Sequence, residues 1–315
     1  MRRLAPLLAL AVVSPAFAQQ KPSFDCAKAA SLAERAICGS ADLVSADRDM
    51  AAIYRQLFNR LSGAAREHLI TDQLRWIAAR NEACIYEPTR MDTCLWDFHQ
   101  RRIAQLKELG QGSYPFVGTY WLIRHDRIGN IFYRIEAAWP QFDGTTADFS
   151  AVNRSFAGRA RESAAEVMPD TKAGRDAASE EWSNEQTFEL SYPGPRAVAV
   201  STSRWTRIGD EVSRGGIEGA LVDLRTGRFA GPTDVFSGDW LGFLTAQVLA
   251  KARSVDAGKL KTLLQEATPY HYRADRLDLV FEPGAVAPEA QGRLTVAVPY
   301  NAIRSLLRAD GPLGR

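Results

Sequence analysis

The sequence predicts two folded units: an all-α, disulfide-bonded helical bundle, then an α+β domain with a mainly antiparallel sheet. Three observations carry that expectation. Helical periodicity runs almost unbroken from residue 27 to residue 109, all four cysteines fall within that stretch or at its edge, and beyond Leu109 the apolar period shortens to that of strands. The bundle reads as residues 21–110, a breaker-rich linker as 111–113 and the second domain as 114–315.

Residues 1–18 read as a secretory leader. Arg2 and Arg3 form a basic start, Leu4–Val13 an apolar run, and Ala16-Phe17-Ala18 a small-residue site with cleavage after Ala18. The run is too short to span a bilayer, and no later stretch is long and apolar enough to do so. A secreted, periplasmic protein is expected. Without the two leader arginines, 37 basic residues face 37 acidic ones. Such a balance argues against a nucleic-acid partner, which calls for a basic excess to replace phosphate counterions.

In the bundle, Ala27–Ile37 reads as a short helix. Leu43–Leu61 sets Leu43, Met50, Ile53, Tyr54, Leu57, Phe58 and Leu61 at helical spacing, and Ala64–Ala83 and Met91–Leu109 repeat the pattern. Each apolar stripe needs a partner, so the helices pack together. Trp76 and Tyr54 read as core, and Glu34 and Asp47 as first-turn acids favoured by the helix dipole. Cys26, Cys38, Cys84 and Cys94 allow three pairings. Local closure, Cys26–Cys38 and Cys84–Cys94, is the expectation because each pair brackets a helix boundary. The competing reading, zinc, calls for C-x2-4-C spacing or neighbouring histidines, and no metal is expected.

In the second domain, strands are expected at Val117–Ile123, Ile131–Trp139, Thr187–Tyr192 and Ala197–Trp205. A helix should cross Phe149, Val152, Phe156 and Val167, and Pro169–Ser183 should be an exposed loop. Helices follow at Trp240–Ala252 and Lys259–Ala267, then a hairpin of Leu277–Phe281 with Leu294–Pro299 and a last helix at Asn301–Leu307. Strands and helices segregate rather than alternate, which selects α+β.

Phe24-Asp25-Cys26, Ala33-Glu34-Arg35-Ala36-Ile37-Cys38, Asp47-Arg48-Asp49-Met50 and Gln73-Leu74-Arg75-Trp76 with Arg80 resemble the LprI-type lysozyme-inhibitor domain. The resemblance implies an all-helical, disulfide-bonded fold and lysozyme as partner. Leu277–Pro283, Val286–Gly292 and Val296–Tyr300, with Arg214-Gly215-Gly216 and Leu221–Gly227, are similar to the carboxy-terminal domain of RsiV-type lysozyme-sensing anti-sigma factors. Residues 131–168, with Trp139-Pro140-Gln141-Phe142 and Asn153, resemble the segment that precedes it, also found in PdaC-type deacetylases. Relatives often carry a His two residues after the Gly-Gly, and here the run reads Gly215-Gly216-Ile217-Glu218-Gly219. The glycines read as a bulge or a positive-φ turn.

No nucleophile elbow, phosphate loop or dinucleotide fingerprint is present, so neither an enzyme nor a cofactor is expected. His68, His99, His125 and His271 are scattered. His125-Asp126 is the one suggestive dyad, yet neighbours on a strand point to opposite faces. The leading expectation is a lysozyme-binding protein that occludes the enzyme's cleft. Tyr86 and Arg90, in the disulfide-closed loop Ile85–Thr93, are one candidate contact; Gly215, Gly216 and Glu218 are the other. The alternatives are a non-inhibitory envelope module that binds peptidoglycan or an envelope protein, and an enzyme that modifies cell-wall glycan.

Overall fold

The structure, a computed structural model, describes residues 21–86, 88–110, 116–144, 147–170, 172, 180–211, 214–252 and 254–314. The leader 1–18, Glu87 and the linker 111–113 lie outside the described residues.

Ser31 and Glu34 form a reciprocal capping box that starts α1, Leu32–Gly39. The expected helix from Ala27 is therefore divided: a 3-10 turn, Cys26–Lys28, precedes α1. Ser40 accepts from the Leu43 amide and caps α2, Ala41–Arg60, which is followed by α3, Gly63–Ile85, and α4, Met91–Leu109. Their stripes meet in a core of Ile37, Leu43, Leu69, Trp76, Leu95, Phe98 and Leu106, all nearly inaccessible. Disulfides join Cys26 to Cys38 and Cys84 to Cys94. The second ties the last turn of α3 to the first turn of α4. Asp47 is no first-turn acid. It lies in the interior of α2, buried, facing His99 Nε2 at 3.8 Å and accepting from the Ser23 amide.

A six-stranded sheet follows in the order β1 to β6: Phe116–Ile128, Ile131–Asp143, Glu180–Pro193, Ala197–Ile208, Arg214–Asp223 and Arg228–Phe229. Every pairing is antiparallel except β2 with β3, where α5, Ser150–Ala165, makes the crossover. A smaller antiparallel sheet holds β7 (Tyr270–Tyr272), β8 (Arg276–Phe281) and β9 (Leu294–Pro299). Helices α6 (Pro232–Val235), α7 (Trp240–Lys251), α8 (Ala257–Leu263) and α9 (Tyr300–Ile303) accompany it. The final helix is thus shorter than the periodicity suggests and ends in a 3-10 turn, Arg304–Leu306.

Part of the expected exposed loop is strand, since β3 begins at Glu180. The Gly-Gly segment is strand as well. β5 pairs with β4 from Ala197↔Asp223 to Thr206↔Arg214 without a register shift, and neither Gly215 nor Gly216 has positive φ. The expectation of a bulge or turn there is corrected: both glycines are extended backbone.

The helical bundle does not hang from the sheet by a linker alone. One continuous core runs from Ala33 through Trp76 and Phe98 to Val117, Tyr133 and Leu224. Its seam is polar at one point. Asp72 on α3 accepts from the Thr119 amide of β1 and pairs with Arg102 Nη1 at 2.7 Å, both side chains fully buried. Arg102 also donates to Gln73 Oε1 through Nε at 3.0 Å and Nη2 at 2.9 Å, and the Arg75 guanidinium lies 4.1 Å from the Tyr120 ring centre. A second core, from Ala197 to Leu313, fills the space between the two sheets.

Candidate functional site

Alternation along the strands decides which candidates can act together. Successive residues face opposite sides, so Glu185 and Gln186 of β3 lie on different faces of the large sheet. The disulfide corner sits on the Glu185 side. There Arg90, which ends a 3-10 turn Pro88–Arg90, lines a cavity of roughly 260 Å³ with Arg101, His125, Arg134, Glu136 and Glu185. Tyr86 is exposed on one side and leans on the hairpin with the other. Its ring packs edge-on to His125 with centres 4.9 Å apart and lies 5.7 Å from Phe132, which docks the loop on the β1–β2 hairpin.

His125 does not work with Asp126. Its Nε2 lies 3.2 Å from Glu136 Oε1 on β2, and Arg134 approaches the same oxygen at 3.6 Å. Burial pushes the Glu136 carboxyl up, but His125 and Arg134 outweigh it and hold it below its ordinary value. Arg101 Nη1 lies 3.5 Å from Glu185. The corner is therefore a cluster of opposite charges made by both units, and no strand-by-strand reading of the sequence reveals it.

The second candidate cluster lies on the other face. Gly216, Glu218, Arg204 and Gln186 line a cleft beside α5, where Arg159 Nη1 meets Glu218 Oε2 at 3.4 Å. The two glycines differ in purpose. A Cβ on Gly215 would lie 2.5 Å from the Trp205 ring, which covers that backbone, whereas one on Gly216 would meet nothing within 4 Å. Glu218 is held by Arg159. Tyr86 and Arg90 are thus not brought together with Gly216 and Glu218.

The quoted motifs fall mostly into structural roles. Gln73 and Arg75 belong to the polar seam and Trp76 to the core, which leaves Leu74 as the exposed member, 62% accessible. Asn153 on α5 clamps β2, accepting from the Phe142 amide at 2.8 Å and donating to its carbonyl at 2.9 Å. Asp72, which sequence reasoning passed over, had one visible signal: a carboxylate on the apolar stripe of Leu69, Trp76 and Ala83.

A Ser–His pair also appears, Ser201 Oγ and His271 Nδ1 at 2.9 Å. Both are almost wholly buried at the joint of the two sheets. Burial pushes the imidazole down to about 4, so it stays neutral. The pair is a buried hydrogen bond, without the access that a nucleophile requires.

Residues 26–106 match the family model described as "Lysozyme inhibitor LprI". The uncharacterized protein R02472 of Rhizobium meliloti (strain 1021) is 31% identical over a 138-residue alignment that covers 36% of this chain and 99% of that protein. The two belong to one family. The LprI domain therefore coincides with the four helices and both disulfides. Two solved structures of DUF3298 family proteins are neighbours of the chain. One from Bacteroides fragilis NCTC 9343 is 13% identical, with a TM-score of 0.44 over 64% of this chain and 96% of its own. The other, from Pseudomonas aeruginosa PAO1, is 12% identical, with a TM-score of 0.41 over 62% of this chain and 96% of its own.

Proposed function

We propose that this chain is a non-catalytic, exported lysozyme-binding protein whose LprI domain is the inhibitory unit. The observation that carries the reading is the family match over residues 26–106, the stretch that both disulfides staple. Disulfides and the leader pattern support a location outside the cytoplasm, in the periplasm. The resemblance of the second domain's motifs to RsiV-type lysozyme-sensing factors supports the same partner class.

Occlusion of a muramidase cleft asks for donors that meet its two carboxylates. The exposed Arg90, beside a disulfide-fixed helix junction, offers a guanidinium at low ordering cost. Tyr86 supports it from the hairpin side. Because Glu218 lies on the opposite face of the sheet, the Gly215–Glu218 cluster serves a separate contact in this reading. The test is to mix the mature protein with c-, g- and i-type lysozymes and to measure affinity and residual lysis. Inhibition of at least one type is expected, with Arg90→Ala weakening it more than about tenfold. An unchanged inhibition constant removes Arg90. Absence of binding at micromolar concentration leaves the envelope-binding reading, and muropeptide turnover by the purified chain, abolished by an Asp or Glu substitution, replaces it with an enzyme.

A further inference from the structure

A cavity of roughly 1290 Å³ belongs to neither candidate cluster. It is an open groove where α3 of the LprI domain meets the end of β2 and the outer face of α5. A volume above the ~300–1,000 Å³ of ordinary small-ligand sites suits a segment of a polymer. Its walls are smooth because α3 contributes Ala64 and Ala65 and α5 contributes Ala157, while Phe116 and Phe149 close the floor.

Two cations stand over this surface. Arg154 and Arg161 are both exposed and are seven residues apart on α5, hence on one stripe and about 10 Å apart along the axis. The other charges of the groove already have partners. Asp143 faces His68 at 3.7 Å, Asp148 accepts from the Ser150 amide, and Arg225 pairs with Asp223 at 2.7 Å. Among the described residues neither Arg154 nor Arg161 has an ion pair within 4.0 Å, although the Arg154 charge helps to hold the Asp148 carboxyl below its ordinary value. Arg161 is steadied over the Trp139 ring, 5.8 Å from its centre.

We infer that this groove binds an anionic oligosaccharide with one carboxylate per disaccharide, each acidic group meeting one of the two arginines. Two charges fixed two helical turns apart match a ligand whose charge repeats along a stiff chain. Apolar walls with polar rims match sugar rings, whose faces are apolar and whose edges carry hydroxyls. The inference stands apart from lysozyme binding, since none of its residues belongs to the disulfide corner.

Calorimetric titration with a hyaluronan tetrasaccharide, a neutral N-acetylglucosamine tetramer and tetraglutamate tests it. The acidic glycan should bind, the neutral one about tenfold more weakly, and binding should fall with added salt. Arg154→Gln with Arg161→Gln should cost about tenfold in affinity, with Arg161→Lys retaining most of it and lysozyme affinity unchanged. No binding of the hyaluronan tetrasaccharide at about 1 mM overturns the inference. So does equal binding by the double variant. Tetraglutamate binding as tightly as the glycan reassigns the groove to acidic peptides.

Discussion

At the scale of single residues, burial sets the chemistry of His271, whereas nearby partners set that of Glu136. His271 sits under the joint of the two sheets with Arg273, Asp278, Glu189 and Glu282 around it, and burial drives its pKa from 6.5 to about 4. As pH falls, the unfolded chain takes up this proton first, because its imidazole keeps the higher pKa. The stability tied to a neutral His271 is therefore complete above about pH 6.5 and is lost as pH falls toward about 4. The loss amounts to roughly 3 kcal/mol. Urea denaturation of His271→Gln, which keeps a hydrogen-bonding side chain but cannot titrate, should show a flatter decline across that window. Parallel declines in variant and parent would show that other groups dominate. None of this was legible in the sequence, where His271 is one scattered histidine, since the strand that buries it pairs with residues downstream and its bond goes to Ser201. Asp72 was partly legible: a charged residue on an apolar stripe announces a buried partner, though not that the partner is Arg102.

At the scale of elements, β5 shows how glycine carries meaning that only neighbours explain. Glycine within a strand marks either a bulge or a close approach. The sequence allows both, because the approaching groups come from Trp205 and Tyr270, which lie at other places along the chain. At Gly219 an added Cβ would lie 2.0 Å from the Tyr270 carbonyl oxygen, so β5 and β7 could not keep their spacing. Gly219→Ala should cost about 2 kcal/mol or more, read as a lowered thermal midpoint. Gly216→Ala, with nothing within 4 Å, should change stability by less than about 0.5 kcal/mol. Equal effects at the two positions would contradict the close-approach explanation. By contrast, α4 and the β8–β9 hairpin were read nearly to the residue, because strong periodicity and local turns suffice to define them.

At the scale of the whole molecule, the two units read from the sequence share one core. Helices and sheet meet through apolar side chains from Trp76 to Tyr133, and the fully buried Asp72–Arg102 pair lies at the seam. Separating the units would uncover the shared apolar core and break the bond that Asp72 accepts from the Thr119 amide of β1, and a hydrogen bond to a charged group contributes about 1.5–3 kcal/mol. Scanning calorimetry of the mature chain should accordingly show the LprI domain and the large sheet unfolding in one cooperative transition. A resolved early transition that spares the sheet would show the bundle to be independent. The disulfide corner and the groove each take residues from both units.

By itself the sequence determined the four helices, the local pairing of the cysteines and the change to a mainly antiparallel sheet. These depend on spacing, propensity and short-range closure, all written within a few turns of the chain. Tertiary structure alone decided that His125 answers to Glu136, that Tyr86 leans on the hairpin, and that Arg90 and Glu218 face opposite ways. Each of these rests on strand register and on which surface covers which. Such contacts join residues far apart in the chain, and no local pattern encodes them.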